Sequence, residues 1–381
     1  MATDADSSPL DVTSRIKRPD VDALRVHRKM KEILDACRWR DVAALASLAE
    51  SWRGLLDDDL RRTAWPILLG LPSPRPGVGG RPEPSCVEEA PRTDWSVLPC
   101  HRDEHQVQLD VDRSFIYYPN GQTDAELAQR KAHLSSVIIE VLRPARPAEV
   151  VARLSVLRIR DFMLPTLGPT TTQLRLLPDI LAKADPEMRS HIASIEPYYA
   201  LAGTLTMYAH NIEDYHDIAR LFDVFLAREP VFSIYVFAQI LINRRDEILE
   251  VDESDMLQVI LARVPAKMNL DDLIAKTIGI FNRYPPESLP SWREISNASV
   301  LKTVRHVGDL ADMSLEQGHA YFQQQVKEMW WSGVVDGVKL TIRRHGRPVG
   351  AVGMAIGVAA TAIYLRRNPS ALHRILSPFQ T

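Results

Sequence analysis

Between His105 and Phe115 the sequence HQVQLDVDRSF spaces Val107, Asp110 and Arg113 three residues apart. On a helix this spacing puts an apolar residue, an acid and a guanidinium on one face. A guanidinium keeps its charge and offers a fork of donors that matches phosphate oxygens. An Asp one turn earlier can hold that side chain extended. Taken alone, the same two residues also read as an ordinary surface pair worth about a few tenths of a kcal/mol.

Other patterns that carry chemistry do not occur. The chain has no G-x-x-x-x-G-K-[ST], no G-x-S-x-G, no H-E-x-x-H and no C-x-x-C. His210 and His216 are six residues apart, off the i, i+4 face that a zinc-binding helix needs. Cys37, Cys86 and Cys100 are an odd, widely spaced set, read as reduced thiols rather than a disulfide framework or zinc site. Asp57, Asp58 and Asp59 read as a helix start with favourable dipole placement, not a metal site. Tyr198-Tyr199 and the aromatics of a helix over 221–237 (Phe222, Phe225, Phe232, Tyr235, Phe237) read as core. No metal and no cofactor of the chain's own is expected.

The elements that must position these residues are helical. Of 381 residues, 45% are hydrophobic, enough for a large core, and the formal charge is −3. A pI of about 6.4 lacks the basic excess of a nucleic-acid binder. The polar, acidic opening MATDADSSPLDVTSR has no apolar stretch of a secretory signal. Near-helical spacing of Leu24, Met30, Ile33, Leu34 and Cys37, then Val42, Leu45, Leu48 and Ala49, predicts two helices up to Glu50. PSPRPGVGGRPEPS marks a loop over 72–99. Period-two alternation is almost absent, so the fold class is all-α. The division read from the sequence is a disordered 1–20, a helical domain over 21–285, a linker over 286–348, a transmembrane helix over 349–365 and a short tail over 366–381.

Val349 to Leu365, VGAVGMAIGVAATAIYL, holds no ionisable group apart from the very weakly acidic Tyr364. Its seventeen residues reach roughly 26 Å as a helix, close to the roughly 27 Å core of the endoplasmic reticulum membrane. Arg343, Arg344 and Arg347 precede it and Arg366 and Arg367 follow, where they can snorkel to headgroups. This is a tail-anchor pattern. Gly353 and Gly357 make a G-x-x-x-G face for weak helix pairing. The Trp330-Trp331 pair suits a headgroup interface.

With WPILLG upstream and RLFDVFL (Arg220 to Leu226) downstream, the Val107-Asp110-Arg113 segment resembles the TBC-domain Rab GTPase-activating proteins, whose first signature is I-x-x-D-x-x-R. The anchor is similar to that of the subgroup residing in the endoplasmic reticulum. The resemblance implies a TBC helical domain that activates GTP hydrolysis by a Rab of the early secretory pathway and is not itself a hydrolase. Arg113 is then the arginine finger and Asp110 the residue that orients it. The partner is a GTP-bound Rab, which carries its own GTP and Mg2+. The expected location is the endoplasmic reticulum membrane, with the domain facing the cytosol and the bilayer engaged through 349–365.

One part of the family pattern is missing. Members supply a glutamine finger from a Y-x-Q-G motif a few tens of residues after the arginine, and no Tyr-x-Gln-Gly occurs here. After SSVIIEVLR the chain passes directly to PARPAEVVARLSVLRIRDFM, as though a stretch were deleted at Arg143-Pro144. Tyr215-His216-Asp217-Ile218 echoes residues that follow the motif, but Glu213-Asp214 precedes it and its neighbours assign it to the RLFDVFL helix. Between 114 and 160 only Gln122 and Gln129 occur, neither flanked by Tyr as the family residue is. The alternative expectation is a catalytically impaired homologue, a membrane-anchored Rab-binding or scaffold protein.

Overall fold

The computed structural model describes residues 21–71, 152–209, 211–212 and 214–344, with Gly357 and Ala360. Among them there are helices and turns but no strand. The helices are α1 (Val21–Trp39), α2 (Val42–Glu50), α3 (Asp58–Leu68), α4 (Gly168–Leu174), α5 (Leu176–Ala184), α6 (Pro186–His191), α7 (Leu201–Leu205) and α8 (Tyr215–Ala227). They continue as α9 (Phe232–Asn243), α10 (Arg245–Leu249), α11 (Ser254–Ala262), α12 (Leu270–Arg283), α13 (Val300–Thr303), α14 (Val307–Asp312) and α15 (Leu315–Arg344). The chain divides into one compact unit up to Phe322 and a second from Gln323.

Acids cap the starts of α2, α3 and α6. Asp41 accepts from Ala44 N at 2.9 Å, Asp57 from Leu60 N at 3.0 Å and Asp185 from Met188 N at 3.0 Å. Each satisfies an amide that the first turn leaves without an intrahelical partner. The Asp57–Asp59 run is thus the start of α3, as its spacing predicts.

At the centre of the first unit stand α8 and α9. Every residue from Ile218 to Ala227 is buried, and α9 is buried from Phe232 and from Ile234 to Leu241. Helices apolar all round belong inside a fold, and α9 packs on α5 and α12 accordingly. Residues 221–237, expected as one helix, are two, parted at Arg228–Val231, where Pro230 cannot donate a helical hydrogen bond. The aromatics of both are core, with Tyr208 stacked on Phe225 at 5.7 Å and Tyr235 edge-on to Phe281 at 4.9 Å.

Packing continues beyond 285. Trp292, Ile295, Val300, Leu301, Val304 and Leu310 are all buried in the same core, so the stretch set aside as linker supplies core residues. A polar clamp fastens it. The fully buried Asp161 carboxylate accepts from Val300 N at 3.1 Å and from the Ser299 hydroxyl, while Arg160 Nη2 donates to Ala298 O at 2.8 Å. Gly70, at the exit of α3, has φ +70°, and a Cβ there would stand 2.4 Å from Ala311 O. Only glycine lets that turn meet α14 so closely.

Among the described residues no helix is long and apolar enough to cross a membrane. The 349–365 stretch, including Gly353 of the pairing face, lies outside them except for Gly357 and Ala360. The expected loop over 72–99, the join at Arg143-Pro144 and residues 1–20 also lie outside.

Candidate functional site

The segments WPILLG and RLFDVFL, far apart in sequence, meet at one carboxylate. Asp223 on α8 has no exposed surface. Its Oδ1 accepts from Arg61 Nε at 3.0 Å and from Trp65 Nε1 at 2.8 Å. Its Oδ2 accepts from Arg61 Nη2 at 3.0 Å and from Leu55 N at 2.9 Å. These bonds fill the carboxylate's acceptor positions. Burial works against the Arg61 charge, but the charge and hydrogen bonds of Asp223 outweigh it and raise the guanidinium pKa. Arg61 also pairs with Asp58 at 2.9 Å, and Trp65 stacks on Phe222 at 6.1 Å.

The loop before α3 is bent to reach this point. Arg53, Gly54 and Leu56 all have positive φ, which aims Leu55 N at Asp223. A Cβ on Gly54 would lie 2.4 Å from Asp223 Oδ2. Glycine is required both by the backbone and by the closeness of the carboxylate.

One turn before Asp223, Arg220 ties down the end of α2. It donates to Ala49 O at 2.8 Å, Ser51 O at 3.0 Å and Glu50 O at 3.3 Å, carbonyls that a helix C-terminus leaves open. Its Nη2 pairs with Asp271, on the first turn of α12, at 2.9 Å. Asp271 also accepts from Arg53 N at 3.1 Å. Lys29 of α1 joins from the other side, donating to Ser51 Oγ at 2.7 Å and to Trp52 O. Burial and the nearby Arg220 charge push the Lys29 ammonium down to about 8. Five helices thus meet in one hydrogen-bonded junction, whose paired charges come from α3, α8 and α12.

Beside this junction opens a cleft of about 550 Å³, with Arg53, Leu56, His216, Asp217, Met268 and Asn269 along it. Burial and the neighbouring Asp214 raise the Asp217 pKa. Among the described residues no group of three or more His, Cys, Asp or Glu is placed to hold a metal. Arg61 and Arg220 are paired with Asp223 and Asp271, while Lys29 is held by Ser51 Oγ and the Trp52 carbonyl.

Asp110 and Arg113 lie outside the described residues, as do Gln122 and Gln129. Tyr215 to Ile218 form the first turn of α8, capped by Asp214, which accepts from His216 N at 2.8 Å. Tyr215 donates to Asp58 Oδ2 at 2.7 Å, and the segment is part of the RLFDVFL helix as read from the sequence. Sequence reading found the two segments but not their bond. The available signal was Asp223 within the apolar run LFDVFL, a position that burial permits only to a paired acid.

Comparison with known proteins meets this geometry. Residues 149–249 match the family model described as the Rab-GTPase-TBC domain. The chain is 29% identical over 318 residues to the GTPase-activating protein gyp10 of Schizosaccharomyces pombe, covering 76% of this chain and 81% of that protein. It is 29% identical over 292 residues to TBC1 domain family member 20 of Bos taurus, covering 69% of each. Against the Mus musculus protein of that name it is 30% identical over 276 residues, 65% of each. Over residues 149–249 the all-helical chain is thus similar to the Rab-GTPase-TBC domain.

Proposed function

We propose that the chain is a GTPase-activating protein for a Rab of the early secretory pathway, with Arg113 as its arginine finger and Asp110 as the residue that orients it. The observation that carries this reading is the domain match over 149–249, joined to the junction at Asp223. That junction unites the WPILLG and RLFDVFL segments whose order, with the Asp110-Arg113 segment between them, resembles the family. GTP hydrolysis spreads charge over the transferred phosphoryl group, and a guanidinium inserted from outside stabilises it, an effect of about 10³–10⁵ in rate. GTP and Mg2+ belong to the Rab. The uncharged stretch 349–365 between arginines anchors the chain in the endoplasmic reticulum membrane, with the domain in the cytosol.

A second reading, the catalytically impaired homologue, is favoured by one observation. The chain has no Tyr-x-Gln-Gly, and Tyr215 to Ile218, which echoes the residues that follow that motif, is the capped first turn of α8. Single-turnover GTP hydrolysis across a panel of GTP-loaded Rab proteins tests both readings. An active chain should lose at least about 10³ in rate on Arg113→Ala. Arg113→Lys should do nearly as badly, because a point charge lacks the fork. Full activity in Arg113→Ala removes the finger, while GTP-dependent capture of a Rab without acceleration selects the impaired homologue.

A further inference from the structure

The second unit begins within α15, and the side chains there are unlike those of the core. Trp330 and Trp331 are 61% and 60% exposed, with their rings in edge-on contact at 4.9 Å. Val334 and Val335, one turn on, are 39% and 45% exposed. Single exposed apolar residues are ordinary, but two tryptophans and two valines within two turns make a patch that calls for an occupant.

Helical register collects them on one side. At about 100° per residue, Trp330, Val334, Trp331 and Val335 fall within an arc of about 140°. In the sequence, positions 338 and 342, Val and Ile, continue the same register. Thr341 also falls within the arc, and the remaining positions of the wheel carry Lys339, Arg343 and Arg344 among small and polar residues, with Leu340 the one large apolar residue there. From Trp330 to Arg347 the sequence has four basic residues, Lys339, Arg343, Arg344 and Arg347, against one acid, Asp336. A tryptophan-bearing apolar arc beside a basic one is the pattern of a helix lying in a bilayer interface, where Lys and Arg meet anionic headgroups.

We infer that the end of α15, from Trp330 to Arg344, lies flat on a lipid bilayer with the Trp pair seated among headgroups. Distance decides between lying and standing. Thirteen helical steps from Trp331 to Arg344 cover about 20 Å. The headgroup layer on each side of the hydrocarbon core is only about 5–8 Å deep. A helix running straight into a span over 349–365 therefore carries the pair far above the headgroups. In the sequence Gly346 and Pro348 stand between α15 and the uncharged stretch, residue types that disfavour a continuous helix. The inference takes its bilayer from the anchoring proposed above, and its test separates the two.

The full chain is reconstituted into phosphatidylcholine–phosphatidylserine vesicles containing phosphatidylcholine brominated near the glycerol end of the acyl chain. Tryptophan emission is compared between the wild type and a Trp330→Ala/Trp331→Ala variant. Bromine should quench part of the wild-type emission, and the double variant should lose that part. Val334→Asp keeps both tryptophans and should reduce the same quenching. A carbonate wash on each sample reads the anchor independently. Release by carbonate with quenching that depends on the Trp pair removes the span but keeps the surface helix. Equal quenching in the wild type and both variants overturns the inference, as does a change of oligomeric mass in the double variant without a change in quenching, which assigns the patch to a second copy.

Discussion

Asp223 accepts four hydrogen bonds and has no exposed surface, so Arg61, Trp65 and the turn at Leu55 all depend on it. Removing one partner of a buried pair leaves the other charge uncompensated, which costs about 3–5 kcal/mol. Asp223→Ala should therefore lower unfolding stability by that amount in a denaturant titration, and a change below about 1 kcal/mol would show that Arg61 finds other partners. Lys29 gives a pH signature with a defined sign. Its folded pKa is about 8 against an ordinary 10.5. Between those values the unfolded chain holds a proton that the folded chain has released, so this residue makes stability rise with pH across that window. Unfolding measured from pH 7.5 to 10.5 in the wild type and Lys29→Met should show a positive difference in slope that disappears in the variant. An identical slope in both proteins would mean that Lys29 keeps its proton throughout.

Much of the element structure was legible before any coordinates, and for physical reasons that differ from place to place. The apolar spacing of Ile33, Cys37, Leu45 and Ala49 gave α1 and α2, because one face of each is buried. The Asp57–Asp59 run marked the start of α3, because the first amides need an acceptor. The stretch from 286 to 312 was not legible, since its few apolar residues fall among short helices and turns with no sustained period. Its burial comes from long-range bonds to Asp161 and Arg160, and from Trp292, over which Arg305 lies at 5.0 Å. Such partners carry no local pattern. The Asp223 junction escaped for the same reason, and Asp110 and Arg113 rest on resemblance alone. If the stretch is part of the domain, Trp292→Ala should cost about 3–5 kcal/mol in thermal or denaturant unfolding. A chain ending at Pro285 should then lack a cooperative transition. Unchanged melting of both would return 286–312 to the role of a linker.

For the whole molecule, the proposed function raises the matter of how Arg113 would act without an accompanying glutamine. An arginine alone stabilises the charge that develops on the phosphoryl group, yet the attacking water must still be oriented, and misplacing a reacting group by about 1 Å can cost about 10² in rate. Nothing near Arg113 in sequence offers a replacement. In the sequence Gln122 follows Pro119-Asn120-Gly121, and Gln129 stands near Glu126, Arg130 and Lys131. Tyr215 is committed to Asp58 at the start of α8. A Rab that keeps its own switch glutamine can orient the water itself, so some acceleration through Arg113 is expected. This chain should nevertheless be a poor catalyst beside one carrying a Tyr-x-Gln-Gly segment inserted after Arg143. Single-turnover hydrolysis with one GTP-loaded Rab compares the two, and the inserted chain should be faster by about 10² or more. Its gain should vanish when the inserted glutamine becomes alanine, which separates water positioning from mere restoration of packing. Equal rates for the two chains would show that the Rab supplies the glutamine unaided, and the impaired reading would then have to be given up.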